Sequence, residues 1–304
     1  MLAHLVRLSL ALELAAYAAL GAWLHVTHDW PAAALVPLAI VAALAARFGL
    51  VCFSSTLAWF NRSPRPPEYR IGLAGVPRYL LAEYRALLAD NLFYLPWKWA
   101  LRPDPPALPA TGVPIILVHG YFSNRGYFRY LARWLDAQGV GPVFAPNFPV
   151  VLSSIEAFAA KLHREIERVA AGCAVERVIL ICHSMGGLAA REYLRSHGTA
   201  RVARLITIAS PHHGTALAAI GLGANARQMC RGCEFLKELE AFEAPGTARV
   251  DTVSVYSLHD NLVAPQETSR LPWARRNVTL SGMGHLKIID DPATFAVLRE
   301  ELVG

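Results

Sequence analysis

Three residues in the second half of the chain have the types and the order that nucleophilic acyl chemistry needs: Ser184, Asp260 and His285. A serine hydroxyl is a weak nucleophile until a histidine removes its proton. That histidine in turn needs a carboxylate, which fixes its tautomer and stabilises its cation. The sequence therefore predicts a catalytic triad in which Ser184 is the nucleophile, His285 the base and Asp260 the acid.

Ser184 lies in the stretch ILICHSMGG, where an apolar run ends and small residues follow. A serine at a sharp strand-to-helix turn is held with its hydroxyl exposed above the sheet. Its neighbours two residues away must be small, because this turn brings the strand and helix backbones together. Gly186 meets the demand on the helix side, whereas Cys182 stands where the usual G-x-S-x-G pattern has its first glycine. A cysteine is still small, so we predict the turn; the competing interpretation is a serine that caps a helix.

A second stretch, VHGYFSN (118–124), can supply the hydrogen-bond donors that acyl transfer requires. The negative oxygen that develops on the attacked carbonyl is stabilised by backbone N–H groups aimed at it. With a turn of the Ser184 type, one donor is the residue after the serine and the other comes from an earlier strand-to-helix loop. We therefore expect the N–H groups of Met185 and Tyr121 to form an oxyanion hole, with Gly120 easing the turn of the chain.

These side chains can meet only if a scaffold brings them to one edge of a sheet, and the chain from residue 113 onward has the pattern of such a scaffold. Short apolar runs alternate with amphipathic segments, which is typical of a parallel sheet covered by helices on both faces. Strands are predicted at 113–120, 142–148, 176–183, 203–210, 250–258 and 276–280, and helices at 125–139, 153–170, 185–198 and 292–303. The sequence thus predicts a three-layer α/β fold with the three candidate residues just beyond strand ends.

Other residues with similar chemistry are weaker candidates. Ser210 also ends a strand, but Pro211 follows it and no helix begins there. Asp251 begins its strand, so it belongs at the opposite edge of the sheet. We expect His183 to be buried or to line a substrate pocket, because neighbouring side chains on a strand point to opposite faces. We expect His259 to lie at the surface.

Residues 215–245 interrupt the alternation of strands and helices. Their amphipathic helices are predicted either to cap the serine and shelter an acyl chain from water or to pack as ordinary surface helices. The segment contains a C-x-x-C pair, Cys230 and Cys233, but the sequence has no second pair at metal-ligand spacing. We therefore expect neither a metal ion nor a cofactor.

The first sixty residues have a different character. Residues 8–26 and 34–60 are nearly unbroken apolar runs joined by a short polar turn. Because about 20 apolar residues suffice to cross the hydrocarbon of a bilayer, these runs predict a transmembrane helical hairpin over residues 1–60. One competing interpretation is a cleaved signal peptide, although no cleavage site followed by a polar mature start is present. The other is a pair of buried helices in a soluble fold.

Each apolar run contains one ionisable residue, Glu13 in the first and Arg47 in the second. Both lie 17 residues from Trp30 in the connecting turn, which corresponds to roughly 25 Å of helix at about 1.5 Å per residue. In an antiparallel hairpin they therefore have similar depth, close to the membrane face away from the turn. We predict that they pair there; the alternative is that each reaches the interface separately.

Basic residues flank the predicted hairpin on one side only. Arg7 precedes the first span, and Arg62, Arg65, Arg70 and Arg78 follow the second, while the turn has none. The positive-inside rule therefore predicts a multi-pass protein of the cell's inner membrane, with both ends and the catalytic domain in the cytoplasm. The net charge of +6 fits a basic collar beside anionic lipid, and no nucleic-acid-binding module is predicted.

Residues 61–112 are predicted to link the hairpin to the α/β domain. The two ends of this segment, 61–70 and 101–112, are rich in proline, which breaks regular structure. Between them, residues 76–94 have apolar side chains at helical spacing, which predicts one amphipathic helix. This helix either lies on the membrane surface or packs on the α/β domain.

Five stretches of the chain resemble motifs of bacterial triacylglycerol lipases and related esterases of the α/β-hydrolase superfamily. They are VHGYFSN, CHSMGG, SPHHGT (210–215), HDNLVAP and GMGHL, and the resemblance covers roughly residues 113–304. It implies an α/β-hydrolase fold with a mostly parallel sheet, in which the nucleophile, acid, base and two oxyanion donors are Ser184, Asp260, His285, Tyr121 and Met185. The hairpin lies outside the similar region, so the secretion typical of those lipases is not implied.

The triad and the hairpin together predict a membrane-anchored serine hydrolase that cleaves carboxylic esters of apolar acyl chains through an acyl-enzyme. Its expected partners are a lipid-like or other apolar ester and the membrane. Two alternatives keep the same triad: transfer of the acyl group to an alcohol, and cleavage of a thioester. A third, from a different class, is a membrane scaffold whose hydrolase-like domain is catalytically idle.

Overall fold

A parallel sheet forms the centre of the computed structural model, which describes residues 2–97, 104–106, 108, 112–148, 151–243 and 249–303. The strands described are β1 Ile115–Val118, β2 Val143–Phe144, β3 Val178–His183, β4 Val202–Ile208, β5 Asp251–Ser257 and β6 Arg276–Leu280. They are ordered β2-β1-β3-β4-β5-β6, and every neighbouring pair is parallel. The carboxyl ends of the strands therefore share one edge, from which the loops with the candidate residues depart.

Helices precede the sheet and cover both of its faces. The described helices are α1 Leu2–His28, α2 Ala32–Phe60, α3 Gly72–Ala89, α4 Arg129–Ala137, α5 Ile155–Cys173, α6 Met185–His197, α7 Ala224–Gln228, α8 Glu234–Phe242 and α9 Pro292–Leu302. On one face, α4 and α9 bury leucines such as Leu135 and Leu298 against the sheet. On the other face, α5 and α6 bury Phe158 and Leu188 against the sheet. The predicted three-layer α/β fold is confirmed.

The predicted strands differ from the observed ones mainly at β2. The apolar run 142–148 predicts a strand of seven residues, but pairing with β1 is limited to Val143 and Phe144. The chain then leaves the sheet, and the backbone N–H of Phe148 donates to Nε2 of His119, 3.0 Å away. The apolar residues of this run, Val143, Phe144, Ala145 and Phe148, are nevertheless all buried.

The two N-terminal helices stand apart from the core of the sheet domain. Both α1 and α2 are long and apolar enough to cross a membrane, judged by length and composition. Little of either is buried: Leu14 is 71% exposed and Val26 is 78% exposed. Large apolar side chains exposed over such lengths are not typical of helices in a soluble fold, so the interpretation as buried core helices is disfavoured.

Glu13 and Arg47 pair within this hairpin as predicted. The guanidinium of Arg47 donates to both carboxylate oxygens of Glu13, at 2.7 and 2.6 Å. Its Nε also donates to the side-chain oxygen of Asn91, a residue just beyond the end of α3, at a distance of 3.2 Å. The pair therefore joins α1 to α2 and also connects the hairpin to the rest of the protein.

The segment after the hairpin is not an independent linker. The predicted amphipathic helix is α3 together with a π-helical turn over Asp90–Tyr94. The sequence left open whether this helix lies on the membrane surface or packs on the α/β domain. It packs on the α/β domain, where Glu83 is fully buried. The preceding residues are also held: Ser63 bonds with Gln266 and Glu267. Most of the proline-rich stretch 101–112, and Trp99 before it, lie outside the described residues.

Pairing of Glu13 and Arg47 can be tested by a double-mutant cycle. We expect Glu13→Gln and Arg47→Met each to lower the thermal midpoint of unfolding in lipid nanodiscs. The double variant should lose less than the sum of the two, with a coupling energy of about 1–3 kcal/mol, because the second change removes a charge that the first left unpaired. As a control, Glu13→Gln combined with Arg7→Met should be additive. Additive losses for Glu13→Gln with Arg47→Met would mean that the pair contributes nothing.

Candidate active site

Ser184 lies between the last residue of β3 and the first residue of α6, in a strained backbone conformation. Its φ of 54° and ψ of −130° are unusual for a residue other than glycine, and its N–H donates to the Ile208 carbonyl, 2.9 Å away. Its side chain accepts no hydrogen bond from the first turn of α6. The hydroxyl is thus not used as a helix cap, and the geometry is that of the predicted sharp strand-to-helix turn.

Small residues are required around this turn because backbones meet there. A Cβ on Gly186 would collide with the Val118 carbonyl oxygen, and a Cβ on Gly120 would lie 2.7 Å from the Cβ of Ser184. Cys182 fits where the usual pattern has glycine, since its side chain is fully buried between β1 and β4. Burial raises the pKa of the Cys182 thiol well above its ordinary value, so this cysteine is an inert packing residue.

His285 and Asp260 are brought together after the ends of β6 and β5. Nδ1 of His285 is 2.8 Å from Oδ2 of Asp260, and both side chains are buried. The other carboxylate oxygen of Asp260 accepts the N–H groups of Leu262 and Val263, at 2.8 and 2.7 Å. Because Nδ1–H donates to the carboxylate, the basic lone pair of the neutral ring lies on Nε2, as a general base requires.

The electrostatic surroundings of His285 favour its protonated form. Burial alone would lower the pKa of the ring, but the charge of Asp260 and its hydrogen bond, with a smaller contribution from Glu83, raise the pKa above the ordinary value. A base with a raised pKa accepts a proton more readily. The ring is therefore suited to take the proton of a serine hydroxyl.

Ser184 and His285 line the same cavity, which has a volume of about 860 Å³. Ser184 is half-buried, and in the described part of the chain its hydroxyl makes no hydrogen bond. Bonds between a nucleophile and its base often tighten only when substrate is in place. Ser184 thus shares a cavity with His285, whose ring is already bonded to Asp260.

The two predicted oxyanion donors also border this site. Met185 is the first residue of α6, so its N–H has no acceptor within the helix and lies at the positive end of the helix dipole. Tyr121 is fixed by its phenol, which exchanges hydrogen bonds with the backbone N–H and C=O of Leu222, at 2.8 and 2.7 Å. Across the described residues, neither the Tyr121 nor the Met185 backbone N–H donates to another protein group.

His119 braces the loop that carries Tyr121. Its Nδ1 donates to the Gly120 carbonyl oxygen, 3.1 Å away, and its Nε2 accepts the N–H of Phe148. Burial lowers the pKa of His119 to about 4, so the ring is neutral near pH 7 and its tautomer is fixed by these two bonds. The role of His119 is structural, and the sequence motif alone did not reveal it.

Glu83 is a further polar residue of the site that the sequence analysis missed. It comes from α3, 203 residues away, and its two carboxylate oxygens accept the N–H groups of Leu286 and Lys287, at 2.8 and 3.0 Å. A Cβ on Gly284 would lie only 2.5 Å from the carboxyl carbon of Glu83. Burial raises the pKa of Glu83 to about 7, against the effect of the two backbone hydrogen bonds. Glu83 therefore clamps the loop that carries His285.

His183 and Tyr127 hold the same loop from the opposite side. Nε2 of His183 donates to the His285 carbonyl oxygen, 3.1 Å away, and the Tyr127 hydroxyl donates to the Leu286 carbonyl, 2.9 Å away. Burial lowers the pKa of His183 well below its ordinary value, so the ring is neutral. The expectation that His183 is buried or lines a pocket is confirmed on both counts.

The rival candidates are excluded by their positions. Asp251 begins β5 and binds Arg204 and Arg275, so it lies at the opposite edge of the sheet. Ser210 is fully buried and its hydroxyl has no hydrogen-bond partner in the described chain. The prediction that His259 lies at the surface is wrong: it is buried, and its Nδ1 accepts the N–H of Gly282 because the loop folds back over it.

The segment 215–245 contributes one wall of the cavity. Leu217, Ala218, Ile220 and Met229 line it, from a 3-10 turn over Ala216–Ile220 and from the region of α7. Residues 244 and 245 lie outside the described residues. No arrangement of three or more metal-binding side chains occurs in the described ranges.

Comparisons with known proteins place this fold and site in context. Residues 115–296 match the family described as "Alpha/beta hydrolase family". A triacylglycerol lipase from Pseudomonas fragi is 32% identical over 113 residues, which are 36% of this chain and 38% of that protein. The lysosomal thioesterase PPT2 from Bos taurus is 27% identical over 146 residues, 44% of this chain and 46% of that protein. The sequence resemblance to lipases and esterases is confirmed.

A solved structure gives the same result for the fold. Lipase B from Aspergillus fumigatus superimposes with a TM-score of 0.61 at 18% identity, covering 86% of this chain and 81% of that one. At this level of identity the likeness concerns the fold alone. The chain aligns with less than half the length of either curated relative.

The clamp formed by Glu83 can be tested through stability. We expect Glu83→Ala to lower the free energy of unfolding by about 2–4 kcal/mol, because it leaves two amide donors without acceptors and opens a cavity. Glu83→Gln, which keeps one oxygen acceptor, should lose less. The measurement is denaturant unfolding in detergent micelles, followed by tryptophan fluorescence. Glu68→Ala, an exposed carboxylate in the preceding segment, is the control, and equal stability of both alanine variants would contradict the clamp.

Proposed function

Because this chain belongs to the alpha/beta hydrolase family, we propose that it is a membrane-anchored serine hydrolase that cleaves carboxylic esters of apolar acyl chains. The observation that carries the proposal is the hydrogen bond of 2.8 Å between Asp260 and His285, beside the strained turn at Ser184. Ser184 and His285 border one cavity whose walls are mostly apolar, and Asp260 is bonded to the ring of His285. Such a cavity suits an acyl chain, and such a constellation suits acyl transfer.

The proposed reaction proceeds through an acyl-enzyme. His285 Nε2 takes the proton of the Ser184 hydroxyl while its oxygen attacks the carbonyl carbon of the ester, and Asp260 stabilises the resulting imidazolium. The backbone N–H groups of Tyr121 and Met185 stabilise the negative oxygen of the tetrahedral intermediate. The ester bond breaks as His285 returns the proton to the departing alcohol. Water then attacks the acyl-enzyme by the same route in reverse and releases the acid.

We propose that α1 and α2 remain in the protein as a membrane hairpin. A signal sequence near the N-terminus would pass the same test of length and composition. Retention is supported by the Glu13–Arg47 pair and by the hydrogen bond of 2.8 Å between Ser54 of α2 and Asn261. The basic residues before the first helix and after the second, with none in the turn between them, favour a cytoplasmic catalytic domain at the inner membrane.

Cleavage of a thioester is the second candidate, favoured by the similarity to the thioesterase from Bos taurus. The same nucleophile, base and oxyanion donors serve both reactions, since only the leaving group differs. Acyl transfer to an alcohol uses the same acyl-enzyme with a different acceptor. A catalytically idle scaffold is disfavoured, because it gives no reason for a strained serine beside a bonded acid–base pair.

Labelling with a fluorophosphonate probe tests the nucleophile. We expect the full chain in detergent to be labelled at Ser184 and to hydrolyse p-nitrophenyl esters, and Ser184→Ala to lose labelling and about 10⁵-fold in kcat, since the serine acts as one unit with its base. Ser210→Ala, the matched serine control, should keep both the labelling by the probe and the kcat of the unchanged protein. Absence of labelling in the folded protein would overturn the proposal in favour of a scaffold. Faster turnover of matched acyl thioesters would favour the second candidate.

The pH dependence tests the role of the acid. Only the neutral ring of His285 can accept a proton, so kcat/KM should fall as the pH decreases through the histidine pKa, which lies above its ordinary value. Asp260→Asn removes the charge that raises this pKa, so the acid limb should move to lower pH and kcat should fall about 10⁴-fold. Asp29→Asn, in the turn between α1 and α2, is the control and should change neither the acid limb of the pH profile nor kcat. An unmoved limb in Asp260→Asn would contradict the assignment.

A further inference from the structure

The membrane hairpin forms part of the wall of the catalytic cavity. Seven apolar side chains line it from this side: Leu2, Leu5 and Val6 of α1, and Leu50, Val51, Phe53 and Leu57 of α2. The same cavity contains Ser184 and His285. The anchor is therefore a structural component of the substrate site and more than a tether.

The lining residues of the hairpin lie at the level of one membrane surface. Leu50 follows Trp30 in the turn by 20 residues, and Ser9, also at the cavity, precedes it by 21. Both are therefore about 30 Å along the helices from the turn, at about 1.5 Å per residue. The hydrocarbon of a bilayer is about 30 Å thick. The hairpin wall of the cavity thus begins where the hydrocarbon ends and extends away from it.

Several of these side chains face the cavity and the surroundings at once. Leu5 is 45% exposed, Leu50 is 60% exposed and Phe53, which also lines the cavity, is 55% exposed. In water such residues would leave an apolar opening without cover. At a membrane surface they join the interior of the cavity to the lipid, so that an acyl chain can pass without crossing water.

The polar groups of the cavity are distributed in a way that orients an ester. Ser184 and His285 lie at the sheet edge, whereas the hairpin side is mostly apolar, with Ser9 and Ser54 as its polar side chains. Asp90 also borders the cavity, but burial raises its pKa well above the ordinary value, which favours its uncharged form. The carbonyl of an ester therefore fits at Ser184 with its acyl chain directed toward α1 and α2. The cavity volume of about 860 Å³ is near the upper end of the roughly 300–1,000 Å³ found for ligand sites.

The hairpin is also held in register with the base. Asn261 donates its side-chain amide to Ser54 of α2, 2.8 Å away, and its side-chain oxygen accepts the N–H of His285, 2.9 Å away. One side chain therefore connects the membrane helix to the catalytic loop. This connection fixes α2 relative to the reacting groups.

We propose that the substrate is a long-chain acyl ester dissolved in the bilayer, which enters the site laterally from the leaflet beside the catalytic domain, between the domain-side ends of α1 and α2. The inference rests on the proposed hydrolase function and adds the substrate class and its route. The acyl chain occupies the hairpin side of the cavity while the ester reaches Ser184. Water-soluble short esters reach the same serine without using the hairpin wall.

Chain-length selectivity of the full protein in phosphatidylcholine vesicles tests the route. Leu57→Trp and Leu5→Trp each fill the hairpin side of the cavity, one from each helix. We expect both to lower kcat/KM for p-nitrophenyl palmitate at least tenfold and to leave p-nitrophenyl butyrate within about twofold, because only the long chain needs this space. Leu38→Trp, the same change at an exposed position of α2 outside the cavity, should alter neither.

The outcomes separate this inference from the proposed function. If the wild-type protein hydrolyses neither ester and Ser184 is not labelled by fluorophosphonate, the function itself fails. If both esters are hydrolysed but the palmitate-to-butyrate ratio is unchanged in labelled Leu57→Trp and Leu5→Trp proteins, only the lateral route fails.

A crosslinking experiment that needs neither tryptophan variant decides the case if those proteins do not fold. Phosphatidylcholine with a diazirine at the end of one acyl chain is mixed into the vesicles, and the Ser184→Ala protein is irradiated. We expect adducts at Met229, which lines the cavity and is only 6% exposed, so that a bilayer lipid reaches it through the cavity alone. Adducts confined to the outer faces of α1 and α2 would overturn the proposal.

Discussion

The position of His285, the proposed base, depends on two carboxylates that bind different parts of one loop. Asp260 binds the ring of His285, and Glu83 binds the backbone that follows it. The first contact resembles the ring support expected in a triad, whereas the second fixes the loop itself and comes from a helix outside the sheet domain. Because the backbone on both sides of the ring is constrained, Nε2 has little freedom to leave the cavity.

Burial of Glu83 makes this arrangement conditional on the N-terminal part of the chain. A carboxylate without water is stable only when hydrogen-bond donors replace the lost hydration, and here the amides of Leu286 and Lys287 do so. Glu83 thus needs the two amides as donors, and the two amides need Glu83 as their acceptor. The loop of His285 is complete only when α3 is docked, and the π-helical turn that follows α3 is in turn connected to the hairpin through the contact between Arg47 and Asn91.

The sequence was sufficient for the residues whose chemistry is local. The apolar strand, the small neighbours and the helix after Ser184 define its turn within a few residues, and strand ends predict where Asp260 and His285 lie. Partners far apart in sequence could not be found in this way. Glu83 accepts a hydrogen bond from the backbone N–H of Leu286, which lies 203 residues further along the chain. A signal was nevertheless present, because Glu83 occupies a position in the apolar stripe of α3 between Tyr79 and Leu87. A carboxylate on a buried helix face implies a partner that the local pattern cannot name.

The side-chain bridge from Ser54 through Asn261 to His285 has a mechanical consequence. A hairpin longer than the local hydrocarbon thickness is accommodated by tilting its helices. If α1 and α2 span the membrane as proposed, a tilt of α2 would move the hydroxyl of Ser54 and, through the amide of Asn261, the backbone of His285. Turnover would therefore respond to bilayer thickness, and lipid composition would act as a physical regulator of the enzyme in addition to being the medium of its substrate.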